Sequence, residues 1–256
     1  MKQVVKKIAR VTGLVALFLT AAAYFVWSSM IAKQRQAQLS CTQIELHIAD
    51  SSLNRMVLPQ EIHDFLHKNK LVATGMKWSE IDLYRLEKRL TAESGIKHCE
   101  VYAHINGNLY ITLAQRTPIL RLETEKGGYY IDESGALFPA APQRSAYVPV
   151  VSGRIPLQDP EWLAQLYDFG CYIRKNQFWN AQIAQIHVHQ PRQIEIIQYA
   201  GNQTIMIGDL TQFEYKLQKL YTFYRTVSAP QGWDKYASID IRYGDQIVCR
   251  TTAPRL

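Results

Sequence analysis

An uninterrupted apolar stretch lies near the start of the chain. Residues 11–32 contain no charged side chain. At ~1.5 Å of rise per residue, a helix of ~22 residues is ~33 Å long, enough to cross a hydrocarbon core of ~30 Å. We therefore predict a single transmembrane helix over residues 11–32. The side chains predicted to lie in the membrane include Val11, Leu14, Leu17, Phe18, Phe25, Trp27 and Ile31.

The charges on either side of this stretch predict its orientation. Residues 1–10 contain four basic side chains and no acid, and Lys33 and Arg35 follow the stretch. Because basic flanking residues favour the cytoplasmic side, we expect residues 1–10 to form a cytoplasmic tail. Residues 33–40 are predicted to be a juxtamembrane linker that leads to an extracytoplasmic region.

A cleaved signal peptide is the alternative interpretation of the same residues. It would have an apolar run ending near Thr20 and a cleavage site at the small residues 21–23. The apolar character continues through residues 24–27, which favours a retained anchor. Both interpretations export the rest of the chain.

The pattern from Thr42 to about Arg116 predicts strand, helix, helix, strand and strand. Apolar residues alternate from Gln43 to Ile48, as in a half-buried strand. Alternation returns on both sides of Asn106-Gly107, a strong hairpin signal because both residues tolerate positive φ. The two intervening helices are predicted from the apolar spacing of Ile62, Phe65 and Leu66 behind Pro59, and of Leu83, Leu86 and Leu90.

The second predicted helix carries signals at both ends. Ser79 and Asp82 fit a capping box, and Trp78 with Leu83 fits a hydrophobic staple around it. Gly95 fits the C′ position, since glycine adopts the left-handed conformation at little cost. The helix should therefore begin just after Ser79 and end just before Gly95.

From Tyr129 onward, short apolar strands alternate with polar turns. One helix is predicted to begin at Asp159-Pro160, and a second is predicted to be capped by Asp209. The last strand pair, or one bent strand, is predicted over residues 238–249 with an interruption at residues 244–245. Three further strands are predicted at Ile183–Val188, Ile194–Tyr199 and Thr204–Ile207.

Together these patterns predict an α+β protein. A βααββ module at residues 41–117 follows the single transmembrane helix and its linker. Residues 118–250 are predicted to form a mainly antiparallel β-sheet domain with two helices, and residues 251–256 a tail.

Charge and motifs narrow the classes of function. The formal net charge is +7, but four of the positive charges lie in residues 1–10. A nucleic-acid-binding domain should instead carry a basic stripe on its folded part. Phosphate-loop, nucleophile-elbow and zinc-helix patterns do not occur. We predict no catalytic residue, cofactor, bound metal, nucleic acid or small-molecule substrate.

The cysteines could form disulfides and the histidines could suggest a metal site, but the sequence requires neither. An exported protein can form disulfides, and four cysteines allow three pairings. Cys99 is in phase with Val101, which favours burial as a small apolar residue. His187 and His189 share a strand face, but no third ligand is evident, and an ordinary histidine pair is favoured over a metal site. The cysteines are Cys41, Cys99, Cys171 and Cys249.

Two adjacent acids, Asp132 and Glu133, could suggest paired catalytic carboxylates. Adjacent residues of a strand point to opposite faces, so we interpret both as turn acids.

Four short segments carry a resemblance to a known family. They are Gln-Arg-Thr-Pro at residues 115–118, Tyr-Ile-Asp-Glu-Ser-Gly-Ala-Leu-Phe at 130–138, Val-Pro-Val-Val-Ser-Gly at 148–153 and Ile-Asp-Ile-Arg-Tyr at 239–243. In this order, behind a basic tail and one membrane helix, they resemble the FtsQ/DivIB family of bacterial division proteins. The βααββ module resembles that family's POTRA domain. The chain departs from the family at Gln115, where glutamate is common, at residues 244–246 and in its four cysteines.

The resemblance implies a non-enzymatic assembly protein of the inner membrane, with its bulk in the periplasm at the division septum. Members of the family recruit and hold the single-pass proteins FtsB and FtsL. A C-terminal strand edge binds FtsB by adding a partner strand, and the POTRA domain and membrane helix help with recruitment.

The matching contact positions are predicted from this resemblance. A strand at the border of a sheet leaves main-chain groups that a partner strand can satisfy, and Tyr and Arg are frequent interface anchors. The alternative is that Ile241 and Tyr243 are sheet core, Arg242 a solvated charge and Arg192 a simple turn charge. The predicted partner-binding residues are Arg242, Tyr243, Gln246, Ile247 and Val248, with Arg192 near a second contact region.

Two other functions remain open at this point. A different POTRA-containing envelope protein, for example one in outer-membrane protein export, would usually carry several POTRA modules or a long β-barrel. A secreted enzyme with a cleaved signal peptide would need a pocket of carboxylates or histidines with perturbed pKa values.

Overall fold

The computed structural model describes residues 17–30, 40–49, 55–104, 106–141, 145–190, 192–201 and 203–252. Residues 17–30 form a helix, α1. Within these ranges, none of the helices is both long and apolar enough to span a membrane. The predicted transmembrane segment runs past α1 at both ends, and Val11, Leu14 and Ile31 lie outside the described residues, as do residues 1–10.

The large apolar side chains of α1 are exposed. Leu17, Phe18, Phe25 and Trp27 each show more than 60% of their surface, from 62% to 75%. Apolar surface of this extent on one helix marks a region that another apolar medium or partner would cover.

The described residues divide into two compact units. The first takes in residues 58–92 and 98–114 with the described chain before residue 50. The second takes in residues 55–57 and 93–97 with the described chain after residue 114. The chain therefore crosses between the units more than once.

The first unit has the predicted βααββ order. Its elements are β1 (Gln43–Ile48), α2 (Pro59–Lys68), a 3-10 turn (Trp78–Glu80), α3 (Leu83–Thr91), β2 (Ile96–Ala103) and β3 (Asn108–Gln115). β3 is the central strand of a three-stranded sheet and lies between β1 and β2. β1 runs parallel to β3 with Leu46 opposite Ile111.

Alternation along β3 explains its burial. Leu109, Ile111 and Leu113 are fully buried, because successive strand residues point to opposite faces. Leu86 and Leu90, which are four residues apart on α3, are buried on one face of that helix. The predicted hairpin turn is also confirmed, since the Gly107 N–H donates to the His104 carbonyl over 3.0 Å.

The predicted end signals of α3 are wrong in detail. Asp82, and not Ser79, is the N-cap, and its carboxylate accepts from the Arg85 N–H over 2.9 Å. Ser79 lies in the preceding 3-10 turn. α3 ends with Ala92 as its C-cap, so Gly95 lies beyond the C′ position. There the Gly95 carbonyl accepts from the Arg116 N–H over 2.8 Å.

The second unit contains a sheet of nine strands. Its elements are β4 (Pro118–Thr124), β5 (Gly127–Asp132), β6 (Leu137–Pro139), β7 (Val150–Gly153), α4 (Pro160–Lys175), α5 (Gln177–Gln182), β8 (Ile183–Gln190), β9 (Gln193–Gln198), β10 (Thr204–Gly208), α6 (Phe213–Phe223), a π-helical turn (Tyr224–Ser228), a helical turn (Ala229–Gln231), a 3-10 turn (Trp233–Lys235), β11 (Tyr236–Asp240) and β12 (Val248–Thr251).

The strand order is β12-β11-β10-β9-β8-β7-β4-β5-β6. Five neighbouring pairs are antiparallel and three are parallel. The prediction of a mainly antiparallel sheet is therefore confirmed. The short strands β12 and β6 form the two borders of the sheet.

One apolar core joins inward-facing strand residues to the helices of this unit. α4 contributes Trp162 and Phe169, α5 contributes Trp179, and α6 contributes Leu217 and Leu220. The strands contribute mainly Ile, Leu and Val at alternate positions, because every second residue of a strand faces the same side.

Two helix predictions for this unit need correction. α5 follows α4 directly and was not predicted. Asp209 does not cap α6; Gln212, with φ of 49°, stands at that position. The Asp209 carboxylate instead accepts from the Thr211 hydroxyl over 2.6 Å and from Lys216 Nζ over 2.8 Å.

The segments that resemble the division family hold this unit together. Gly153 has a φ of 90°, and a Cβ atom there would lie 2.3 Å from the Val188 carbonyl oxygen, so only glycine fits. Gln115, at the position where the family often has glutamate, accepts from the Val57 N–H over 2.7 Å. Arg116 Nη1 lies 2.6 Å from the buried carboxylate of Asp132. Residues of these motifs therefore form structural contacts between segments that are distant in sequence.

Candidate partner-binding edge

β12 forms one border of the nine-stranded sheet. It pairs with β11 in antiparallel register, with Asp240 opposite Val248 and Ile239 opposite Cys249. Within the part of the chain that the structure describes, no second strand pairs with β12. The N–H and C=O groups of alternate residues on the outer side of β12 can therefore pair with an added strand.

The predicted strand pair and its interruption are confirmed. Residues 241–247 connect β11 to β12, and we call them the β11–β12 loop. Four of the predicted contact residues lie in this loop and the fifth begins β12: Arg242, Tyr243, Gln246, Ile247 and Val248. The structure thus brings these five residues together.

Side-chain exposure divides these residues into two groups. Tyr243 and Val248 are each 46% exposed. Ile247 is half-buried against the core. Ile241 is buried, so the alternative that both Ile241 and Tyr243 are core is right for Ile241 and wrong for Tyr243.

Arg242 is held by its neighbours. Its Nε lies 2.9 Å from Asp240 Oδ1 and its Nη2 lies 2.6 Å from Oδ2. Burial acts to raise the pKa of Asp240, but the hydrogen bonds and charge of Arg242 outweigh it, and the net pKa is lowered. The guanidinium also lies 5.8 Å from the centre of the Tyr243 ring, a cation–π geometry. These three residues form one organised polar group beside the edge.

Arg192 lies in the turn between β8 and β9 and has a φ of 67°. Its Nη2 is 3.1 Å from Asp159 Oδ2 and 2.9 Å from Glu161 Oε2, two acids at the start of α4. Acids there also complement the helix dipole. Arg192 thus has a structural role that the simple turn-charge interpretation did not include.

Arg192 and the β11–β12 loop lie at the same end of the sheet. The strand register requires this, because Ile194 is opposite Gly208 on β10 and Met206 is opposite Asp240 on β11. Three strand spacings separate β9 from β12, or about 14 Å. An extended segment of about five residues would span this distance.

Two residues of α6 that contact the loop were not predicted. Lys219 Nζ donates to loop carbonyls, and the Tyr215 hydroxyl donates to the Gly244 carbonyl over 3.1 Å. An exposed helix face with lysine and tyrosine is ordinary in sequence. Only their spacing of four residues, which puts both on one face of α6, could have drawn attention to them.

All four cysteines are free thiols, so the disulfide left open above does not form in this structure. Cys99 is buried, as predicted. Burial raises its pKa to about 12, and the charges of Glu87 and Glu100 act in the same direction. Such a thiol is a poor nucleophile at neutral pH.

Groups with acid–base potential in the second unit include carboxylates in a cleft and a histidine on the sheet. A cleft of about 990 Å³ has Asp168, Glu214 and Asp245 in its lining. His187 lies elsewhere on the sheet, with its Nδ1 2.9 Å from Ser152 Oγ. The described residues contain no group of three or more His, Cys, Asp or Glu side chains that could hold a metal ion.

Two family models match the chain. Residues 117–250 match the model described as FtsQ/DivIB, C-terminal related, which covers slightly more than half of the chain. Residues 39–114 match a POTRA-like domain. No curated protein sequence matches.

Proposed function

The chain belongs to the FtsQ/DivIB C-terminal-related family, and we propose that it is a non-enzymatic assembly protein of the cell-division machinery. In this proposal it recruits and holds single-pass division proteins similar to FtsB and FtsL at the septum. The observation that carries it is that β12 is paired on one side only among the described residues. A partner strand would satisfy its outer main-chain groups.

The two borders of the sheet support the choice of β12. β6 has only three residues, Leu137–Pro139, and ends in a proline that has no N–H to donate. Short strands and prolines are the usual means by which proteins protect an edge. β12 has four residues and no proline. It is therefore the border better suited to strand addition.

We propose that side chains next to β12 add specificity to the main-chain pairing. Tyr243 and Val248 expose apolar surface at the start of the edge, and Arg242 supplies a positive charge. Gln246 and Ile247 would contact the same partner segment. Arg192 would contact a second part of that partner, after exchanging or sharing its ion pairs with α4.

Membrane anchoring is part of the same proposal. We propose that residues 11–32 form one transmembrane helix of the inner membrane, with residues 1–10 in the cytoplasm and residues 33–256 in the periplasm. The exposed apolar side chains of α1 support this. A POTRA-like domain at about residues 41–117 would help recruitment, and a β domain at residues 118–250 would carry the edge.

Crosslinking in living cells tests the partner directly. A photo-crosslinkable residue at position 243 in the full-length chain should capture an FtsB-like division protein. The matched control is position 147, where Tyr147 is 86% exposed in the second unit and lies outside the edge. Capture of outer-membrane assembly factors from position 243 would instead support a role in protein export.

Depletion tests the process. Loss of a protein that holds the division machinery together should produce filamentous cells with a block in septation. Normal septation in depleted cells would overturn the proposal.

Tyr243→Ala tests the site. Because buried aromatic anchors dominate interface energies, the substitution should weaken binding of the FtsB-like extracytoplasmic region by more than about 1 kcal/mol. Isothermal titration with the full-length chain in detergent measures this. Tyr147→Ala is the control, since Tyr147 is 86% exposed and lies outside the edge. Equal affinities in Tyr243→Ala and wild type would remove the site assignment but leave the family unchanged.

A further inference from the structure

We propose that Lys219 is a positioning residue for partner recognition. From α6, its ammonium group holds the β11–β12 loop in the shape that presents Tyr243 and leads into β12. The inference rests on the proposed function, because it assumes that this loop and β12 receive the partner. It adds a residue from a different element to the candidate site.

The ammonium group lies where main-chain carbonyls of the loop converge. Lys219 Nζ is 3.3 Å from the Ile241 oxygen, 3.0 Å from the Gly244 oxygen and 3.2 Å from the Gln246 oxygen. It also contacts the Tyr243 oxygen. An ammonium group has three donors and no acceptor, so these carbonyls share its N–H groups.

Tyr215 completes the contact between α6 and the loop. It lies one helical turn before Lys219, and its hydroxyl donates to the Gly244 oxygen over 3.1 Å. Lys219 Nζ is 5.7 Å from the centre of the Tyr215 ring, which favours the cation further. Gly244 therefore receives donors from two residues of the same helix face.

The positive charge is the feature that matters in this arrangement. Carbonyl oxygens that point toward one place repel one another unless a donor or cation lies between them. A neutral side chain at position 219 would leave those oxygens without their shared donor, which is costly wherever water cannot replace it. The loop would then adopt other shapes, and Tyr243 would lose its fixed position.

The electrostatic surroundings of Lys219 agree with a role in the loop. Burial lowers its pKa, Asp245 and Asp240 act to raise it, and Lys216 acts to lower it. Among the described residues, its hydrogen bonds are to loop carbonyls and not to either carboxylate. The half-buried cation is therefore compensated mainly by the main chain whose shape it sets.

Lys216 provides a matched control on the same helix. It is a buried lysine, whereas Lys219 is half-buried, and it binds a different loop, with Nζ 2.9 Å from the Asp209 carbonyl oxygen and 2.8 Å from Asp209 Oδ1. That loop connects β10 to α6 and contains none of the predicted contact residues. Substitution of Lys216 should thus disturb folding in a similar way without removing a hydrogen bond to the β11–β12 loop.

The experiment compares Lys219→Met, Lys219→Arg and Lys216→Met in the full-length chain in detergent. Amide hydrogen exchange reports the order of residues 241–248, and titration with the FtsB-like extracytoplasmic region reports affinity. We expect faster exchange in this loop and about tenfold weaker binding for Lys219→Met. Lys219→Arg keeps the cation and should recover part of both, and it provides the comparison if Lys219→Met does not fold. Lys216→Met should leave affinity within about threefold of wild type.

The outcomes separate this inference from the function on which it rests. Rapid exchange of the loop in Lys219→Met with unchanged affinity would overturn the positioning role. Equal losses of affinity in Lys219→Met and Lys216→Met would also overturn it. Wild-type protein that does not bind the FtsB-like region would instead overturn the proposed function. Unchanged loop exchange in Lys219→Met would overturn the contact itself, with no partner needed.

Discussion

Two aspartate–arginine pairs in the second unit use the same chemistry in different surroundings. Arg116 binds Asp132, whose side chain is 1% exposed, and Arg242 binds Asp240, whose side chain is 17% exposed. Both contacts are 2.6 Å long. The first joins two segments of the interior, whereas the second lies beside the candidate edge. We propose that similar geometry serves folding in the first place and presentation of a partner-binding surface in the second.

The number of partners explains the difference. The Asp132 carboxylate accepts from Arg116, from the Ser134 N–H and hydroxyl, and from the Ala136 N–H. It fixes the turn after β5 and ties that turn to Arg116. Among the residues that the structure describes, Asp240 accepts from Arg242 alone, through its guanidinium and its N–H. Loss of Asp132 would leave more donors without an acceptor, all of them in partly buried hydrogen bonds.

Asp132→Ala should have the largest effect on stability. Removing one partner of a buried, hydrogen-bonded ion pair typically costs about 3–5 kcal/mol. Because Arg116 remains 24% exposed, we expect a loss of about 3 kcal/mol in the free energy of unfolding of the second unit. Urea unfolding followed by hydrogen exchange of β4 and β5 would measure it.

The neighbouring acid is the control for this substitution. Glu133 forms ion pairs with Lys97 over 3.1 Å and Arg174 over 3.6 Å, and its side chain is 42% exposed. Exposed pairs contribute about 0–1 kcal/mol, so Glu133→Ala should be nearly neutral. Equal destabilisation by the two substitutions would show that burial is not what distinguishes them.

These two acids also show how far sequence reasoning reaches. Local patterns predicted that Asp132 and Glu133 lie in a turn; this is right for Glu133 and wrong for Asp132, which is the last residue of β5. The burial of Asp132 depends on Arg116, which is 16 residues away, and no local periodicity reports such a contact. The same holds for Lys219, whose partners in the loop lie 22 to 27 residues further along the chain.

The prediction of helices and strands succeeded where a local sequence pattern was present and failed where the element was too short to show one. β1 and the turn at Asn106-Gly107 follow from alternation and from residues that tolerate positive φ. α5 has only six residues, too few for a helical period to appear. The exposed side of β12 was predicted only through family resemblance, because the border of a sheet is a property of strand order and not of one strand.

Lowering the pH should destabilise the protein more through the buried Asp132–Arg116 pair than through the Asp240–Arg242 pair. Burial acts to raise the pKa of Asp132, but hydrogen bonds from Ser134 and Arg116 outweigh it, and the folded-state pKa is lowered. A carboxyl group whose pKa is lowered by folding stabilises the folded state at pH values above its unfolded pKa of about 3.9. This stabilisation is lost as the pH falls through the folded-state pKa. Wild type should therefore lose more stability than Asp132→Asn between neutral pH and about pH 3. Unfolding curves at several pH values measure the difference, and parallel pH profiles would contradict it.

Asp240→Ala should have a small effect on stability and a selective effect on binding. Because Arg242 is 40% exposed, the pair should contribute less than about 1 kcal/mol to folding. Without Asp240, Arg242 loses the carboxylate that fixes its guanidinium beside Tyr243, so binding of the FtsB-like region should weaken about two- to fivefold. Unfolding and titration of the same protein would measure both quantities. If Asp240→Ala lost as much stability as Asp132→Ala, the exposed pair would also stabilise the fold. Arg242 would then be a structural residue, and its position beside the edge would be secondary.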